Sequence, residues 1–559
     1  EDVTARVSGG MKPNIGDADR ARLIDRREKE LVAECEKAGG VRCRVTSVFE
    51  GSQWLRMTQA ELTDVRLVYA PSSKIGEFGG EIDNFEWPRH TGDFAFYRAY
   101  AGGKPYRPKH WLRLAKSGVN EGDTVIVAGY PGRTFRYKTA DEVRNYKEFV
   151  YPTNIRYFTD TIRLLEEAGK GNRDVQIKNA SRIKSLANSL KNYTSVSEGF
   201  TKDRIVESRV EREAKMRALA PDVLTEIERL NAEKMRTRER ELILDWLTGR
   251  GSPMLAQAFT IARLATERPK KDIDRASRYQ EREWASLKAA SDRAQRTMDV
   301  ASDRSVVAYF FGEAAKAGIR ELEGVSLDDL YTNTKITSQE ERAKMLGESV
   351  AQLKARKDAM LDLAFRLVPL VEEREARDLA WTGAMGRLRP RYFEVLRQVS
   401  GGTLYPDANS TLRITYGRVE GYSPKDATYY APQTTLRGLL QKETGKDPFE
   451  NPKALLAAAA EPAKTRPYVD PELEDVPVNF LSTCDTTGGN SGSPTLNAKG
   501  ELVGLLFDGN YESIDSDFLF NPAVTRSIHV DAQYMLWVMD AVDGADALIR
   551  ELGAEPKVE

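Results

Sequence analysis

Asp485-Thr486-Thr487-Gly488-Gly489-Asn490-Ser491-Gly492-Ser493-Pro494 is the stretch on which the fold of this 559-residue chain turns. Three of its ten residues are glycine, which lets a backbone turn tightly where a Cβ would collide. A strand-like run follows, then Asn497-Ala498-Lys499-Gly500, then the apolar run Glu501 to Phe507. That order predicts a β-hairpin, with Ser491 on the loop that leads into it. A nucleophilic serine needs a base for its proton and backbone amides for the developing oxyanion, and a glycine-rich loop can supply the amides. The pattern is not a G-x-S-x-G elbow, because residue 493 is Ser and the context is strand, loop, strand. The plain alternative is a Gly/Ser turn between two strands.

Outward from this loop the chain changes texture twice. Residues 40–135 carry short apolar or alternating runs at Val45 to Phe49, Val65 to Ala70, Asp93 to Tyr100 and Thr124 to Gly129. These predict strands bounded by Gly, Pro, Ser and Asp. From about 140 to 400, Glu, Arg, Lys, Ala and Leu dominate. Only five of the 24 Pro and eight of the 41 Gly fall in 201–400, so helices can run long there. Met360, Leu363, Ala364 and Leu367 recur at helical spacing. Strand texture returns after 401, as in Thr411 to Tyr416. A short helix is predicted over Ala454 to Ala460, and an amphipathic helical stretch from Val530 to Leu552. The class is α+β: two β portions, 1–140 and 401–559, separated by a helical block at 141–400.

A second motif lies in the first β portion. Phe78-Gly79-Gly80-Glu81-Ile82-Asp83-Asn84-Phe85-Glu86-Trp87-Pro88-Arg89-His90-Thr91-Gly92-Asp93 runs into aromatic residues. A carboxylate buried at a strand start needs hydrogen bonds, and orienting a histidine would supply one. Taken alone, Asp93 reads as a solvated turn residue.

Charge narrows the field. The 84 basic and 85 acidic side chains leave a net charge of -1, which supplies no field for nucleic acid or anionic lipid. No apolar run reaches membrane-spanning length. Three cysteines and three histidines fit no zinc spacing, so neither a metal nor any cofactor is expected. Cys35 and Cys43 are close enough for a small-loop disulfide; three unpaired thiols including Cys484 are the alternative.

The segments Asn84 to Tyr97, Gly129 to Tyr137, Asn188 to Asn192 and Phe480 to Asn510, in this order, resemble the bacterial dipeptidyl-peptidase 7 and 11 family of the chymotrypsin clan. The resemblance implies a chymotrypsin-like double β-barrel with a large inserted helical domain. It implies Ser491 as nucleophile, Asp93 as triad acid, and the amides of Gly489 and Ser491 as oxyanion hole. Asn84, Asn188 and Asp508 match residues that grip the substrate's free amino terminus. A peptide lacking that amine would leave Asp508 buried and unpaired. Gly509 stands where acidic-preferring members carry arginine, which implies a bulky apolar or aromatic residue before the cut. Oligopeptide substrates, a periplasmic location and a homodimer are further implications.

One part of the pattern is missing. The triad histidine should precede Asp93 by a wide margin, but His90 is the first histidine, and His110 and His529 stand elsewhere. The expectation is that the histidine and any export signal belong to an absent N-terminal segment. A non-catalytic binder of peptide amino ends and an ordinary endopeptidase are the alternatives.

Overall fold

The scarcity of helix breakers in the middle of the chain is realised as long helices. The computed structural model describes residues 1–12 and 14–558. They cluster into two units. One gathers Glu1–Ala60, Thr139–Thr194 and Val206–Pro406; the other gathers Glu61–Lys138, Ser195–Ile205 and Asp407–Glu559.

In the first unit the helices include Tyr151–Gly169, Pro253–Glu267, Val300–Lys316 and Ala359–Ser400. The last begins where the Asp358 carboxylate accepts from the amides of Met360 and Leu361, and it ends at Gly401 with φ +64°. Met360, Leu363, Ala364 and Leu367 all point into one core with Tyr157, Phe158, Trp246 and Phe310, as their spacing requires. Trp246 stacks on Phe310 with ring centroids 5.0 Å apart.

The leading 60 residues belong to this helical unit instead of extending a barrel up to 140. The reason is a backbone contact. A Cβ at Gly383 would stand 1.6 Å from the carbonyl oxygen of Asp17, so only glycine lets the Ala359–Ser400 helix meet the start of the Asp17–Glu36 helix. The hairpin of β1 (Val41–Val48) and β2 (Gln53–Ala60) follows that helix, and a Cys35–Cys43 disulfide ties them together. Cys484 is a buried free thiol.

The second unit holds the remaining strands: β3 (Asp64–Tyr69), β4 (Phe96–Ala101), β5 (Lys104–Pro105), β6 (Thr124–Gly129), β7 (Arg413–Arg418), β8 (Gln433–Thr435), β9 (Pro477–Ser482), β10 (Pro494–Asn497), β11 (Leu502–Gly509) and β12 (Ser527–Asp531). Strands β3, β4 and β5 form a small antiparallel sheet. The other seven form an antiparallel sheet in the order β7-β6-β10-β11-β12-β9-β8. It curls back on itself: Val419, just past β7, bridges Ser482 at the end of β9, and the Thr483 amide donates to the Arg418 carbonyl at 2.9 Å. Val125, Val127, Phe480, Val503 and Leu506 fill its interior.

The C-terminal stretch differs from its expected form. It is helical in three pieces, Ala532–Trp537, Val538–Val542 and Asp546–Glu551. Every residue from Ala532 to Ala541 is buried, so the segment is core and not an amphipathic cover. No helix among the described residues is long and apolar enough to cross a membrane.

Candidate active site

The serine loop joins β9 to β10, and its shape is set by glycines meeting another turn. Gly489 has φ +105°, and a Cβ there would lie 2.6 Å from the Tyr130 carbonyl oxygen and 2.7 Å from the Gly132 nitrogen. The facing turn, Gly129-Tyr130-Pro131-Gly132, follows β6. A Cβ on Gly129 would lie 2.1 Å from Ser493 Oγ, and the Gly132 amide donates to the Gly488 carbonyl at 2.7 Å. Both glycine-rich segments are therefore backbone-to-backbone neighbours, held by β10 pairing with β6.

Within the loop the Asn490 amide donates to Thr487 O at 3.0 Å, Ser493 to Asn490 O at 2.8 Å and Gly492 to Leu506 O at 2.7 Å. The amides of Gly489 and Ser491 donate to no acceptor among the described residues. Ser491 is exposed, and its hydroxyl donates to the Phe507 carbonyl at 3.4 Å. An exposed hydroxyl beside two unused amides is what an oxyanion site requires.

The loop's base is charged. Arg136 grips Asp485 with two bonds of 2.5 and 2.8 Å and donates to Ser516 O at 3.0 Å. Asp517 accepts the Thr487 hydroxyl, and its own carbonyl accepts the Phe135 amide. Burial pushes the Asp517 carboxyl up to about 6.

Asp508 sits one residue beyond the carbonyl that Ser491 touches. Its carboxylate accepts the Phe85 amide at 3.1 Å, the Gly509 amide at 2.9 Å and Arg89 Nη1 at 2.6 Å. Asn84 is thus brought beside Asp508 through its chain neighbour Phe85. Asn84 also donates to Glu81 at 3.2 Å. The expectation of an unpaired Asp508 is corrected: Arg89, whose side chain is as buried as that of Asp508, already balances its charge. Gly509 is partly buried, and a Cβ there would lie 2.5 Å from Ser513 Oγ. Asn188 is exposed on the Arg173–Lys202 helix, within the residues of the helical unit.

Asp93 departs from its expected place. It is exposed and lies in the loop before β4, which begins only at Phe96. Its segment is nonetheless firmly held, because the buried Asn479 side chain accepts the Thr91 amide at 2.8 Å and donates to the Thr91 carbonyl at 2.9 Å.

None of the three histidines stands on Ser491. His529 is buried with its ring nitrogens on Ser482 and Thr495 at 2.8 and 2.7 Å, and burial pushes its pKa down to about 3. His90 is buried and pushed down to about 3 as well, by desolvation and by Lys442. His110 is exposed. Among the described residues no group of three or more His, Cys, Asp or Glu could hold a metal.

Arg89 and Asn479 escaped the reading of residues. Arg89 stands in a loop, just after Pro88, where a charged residue reads as solvated, and Asn479 stands in an apolar strand run. The signal was the polar residue inside an otherwise apolar strand, which a buried amide must answer with partners.

The model of the family described as Peptidase S46 matches residues 1–554. An Asp/Glu-specific dipeptidyl-peptidase of Shewanella putrefaciens is 36% identical, over 95% of this chain and 80% of its own length. A dipeptidyl-peptidase 7 of Phocaeicola vulgatus is 29% identical, over 99% of this chain and 81% of its own. The crystal structure of Porphyromonas endodontalis DPP11 in complex with dipeptide Arg-Glu aligns with TM-score 0.80 and 25% identity, covering 99% of this chain and 84% of that one.

Proposed function

The chain belongs to the Peptidase S46 family, and from that premise we propose that it is a serine dipeptidyl-peptidase that removes dipeptides from the free amino end of oligopeptides. The observation that carries the proposal is the exposed Ser491 hydroxyl beside the two unused amides of Gly489 and Ser491. In this reading Ser491 attacks the scissile carbonyl, and the two amides hold the oxyanion. A general base takes the serine proton, and Asp93 orients it. Asn84 and Asp508 bind the substrate ammonium, and the span from them to Ser491 sets a length of two residues. The chymotrypsin-like double barrel with a helical insertion is part of the same reading; the curled sheet around β10 and β11 supports its second barrel.

For the residue before the cut we propose an apolar or aromatic side chain. Gly509 places no charge there. The nearby Arg526 spends its donors on the carbonyls of Glu420, Gly421, Pro522 and Thr525 and on the Glu420 carboxylate. A second reading, an acidic residue before the cut, is favoured by the name of the S. putrefaciens relative. Export to the periplasm is supported by the Cys35–Cys43 disulfide, which persists in oxidising compartments.

The test uses chromophore conjugates of two dipeptides, one ending in Phe and one in Glu, each with free and blocked amino ends. The full-length enzyme is expected to release chromophore only from the free-amine Phe conjugate, and Ser491→Ala to release none. Release from the free-amine Glu conjugate alone would establish the second reading. Cleavage of blocked conjugates would mean an endopeptidase, and no cleavage by folded enzyme would mean a binder.

A further inference from the structure

The ion pair beneath the proposed ammonium site raises a question of charge. Asp508 is buried, and burial disfavours a carboxylate. If its carboxyl held a proton, it would offer a donor where an ammonium needs an acceptor. Three donors reach it: the amides of Phe85 and Gly509, and Arg89 Nη1 at 2.6 Å. Of these only Arg89 carries a full positive charge.

Arg89 is itself fixed by other partners. Its Nε donates to Thr91 Oγ1 at 2.8 Å, its Nη1 also donates to the Asp83 carbonyl at 2.6 Å, and its guanidinium lies 5.2 Å from the centre of the Phe507 ring. The same residue therefore touches the segment that carries Asn84, the segment that leads to Asp93 and the strand that carries Asp508.

Other charges around this spot are committed elsewhere. Asp83 pairs with Lys442 at 2.7 Å, and Arg526 pairs with Glu420 at 3.1 Å. Glu512 accepts from Tyr422 at 2.9 Å and from Asn510 at 3.0 Å, and Glu81 accepts from Asn84. His90 is held neutral by its burial. Glu86, in the same loop, is half-buried.

We infer that Arg89 is a positioning residue for the substrate's amino terminus: it keeps the buried Asp508 ionised and aimed, so that the remaining acceptor capacity of Oδ1 can take an ammonium hydrogen. This inference rests on the dipeptidyl-peptidase reading above. It also changes the character of amine recognition. The Arg89–Asp508 pair is neutral overall, so the ammonium is recognised by a directed hydrogen bond to a carboxylate already balanced, and not by an unopposed negative charge. Burial leaves the Asp508 pKa raised on balance, against the lowering by Arg89 and the two amides, and removing the guanidinium leaves burial less opposed. The carboxyl then protonates at a higher pH than in the wild type, and amine binding is lost first on the acid side.

The experiment measures binding of a free-amine dipeptide, Val-Phe, by calorimetry from pH 5 to 6.5, where its amino group stays protonated. The proteins are full-length wild type, Arg89→Met, Arg89→Lys and Asp508→Asn, with melting temperatures checked for each. The expected result is a nearly flat profile for wild type and a loss of about tenfold for Arg89→Met at pH 5 that shrinks as pH rises, tenfold being the loss when the carboxyl pKa stands one unit above the pH. Arg89→Lys restores the flat profile, and Asp508→Asn is weak throughout. An Arg89→Met profile equal to wild type overturns the inference, and so does a loss that is the same at every pH. A 13C-carboxyl titration of Asp508, identified by its absence in Asp508→Asn, gives a readout independent of binding. If blocked and free dipeptides bind wild type alike, the peptidase reading fails. The titration still judges Arg89: an Asp508 carboxyl that titrates in Arg89→Met as it does in wild type overturns its role.

Discussion

At the scale of single residues, the candidate site depends on places where a side chain would be in the way. Gly489 adopts φ +105° with the Tyr130 carbonyl and the Gly132 amide at its back, so Gly489→Ala must push the loop away from its neighbour. The displaced amide would no longer face the oxyanion. We expect kcat to fall by about 10²–10³-fold, the usual effect of losing one oxyanion donor, with substrate binding little changed. Steady-state kinetics on the full-length enzyme checks this, and an unchanged kcat would remove Gly489 from the proposed hole. That a tight glycine-rich turn carries Ser491 was legible in the sequence, because glycine lets a backbone turn where a Cβ would collide. The partner of Asp508 was not. Arg89 looks like any charged loop residue until the fold folds the loop under β11, and nothing in its spacing announces burial.

At the scale of elements, one amide side chain fastens a loop to a sheet. Asn479 on β9 bonds both backbone groups of Thr91 and also reaches the His529 carbonyl at 3.2 Å. Asn479→Ala would strand buried backbone donors and acceptors, a cost of about 2–4 kcal/mol. The expected outcome is a clear drop in melting temperature, together with lower activity because Thr91 lies two residues from Asp93. A melting curve like that of wild type would show that the loop is held elsewhere. The strand pairs were readable from alternation and turn residues: β10 and β11 stand where the Asn497 to Gly500 turn placed them. The contact of the first 60 residues with the helices was not readable, because alternation tells a strand its face but not its neighbour. The sign lay in Gly383, an isolated glycine within a long helix, whose packing reason only the fold displays.

At the scale of the whole molecule, buried ionisable groups pull stability in opposite directions with pH. Burial pushes Asp531, which caps the Ala532–Trp537 helix through the Gln533 amide, up to about 7 from 3.8. Its contribution is complete below about pH 4 and is lost as pH rises through 7, because the folded state must then bury a charge. His529 runs the other way: pushed down to about 3 from 6.5, it contributes fully above pH 6.5, and that contribution is lost as pH falls toward 3. Asp531→Asn keeps a capping oxygen and removes the charge. Its melting temperature is expected to decline less than that of wild type between pH 4 and 7; parallel declines would place the titration on another group.

The order of the large sheet has a meaning in time as well as in space. Strand β6 is complete at Gly129, but its neighbour β7 begins at Arg413 and its other neighbour β10 at Pro494. At 5–20 residues per second, a ribosome needs about 15–55 s after making β6 to deliver β7. Through that interval both edges of an apolar strand, Val125 and Val127 included, stand without their native partners. The helical block at 141–400 is synthesised within that interval. A nascent chain of this protein therefore carries a half-made sheet through most of its own translation, with β6 awaiting both neighbours until the chain is nearly finished.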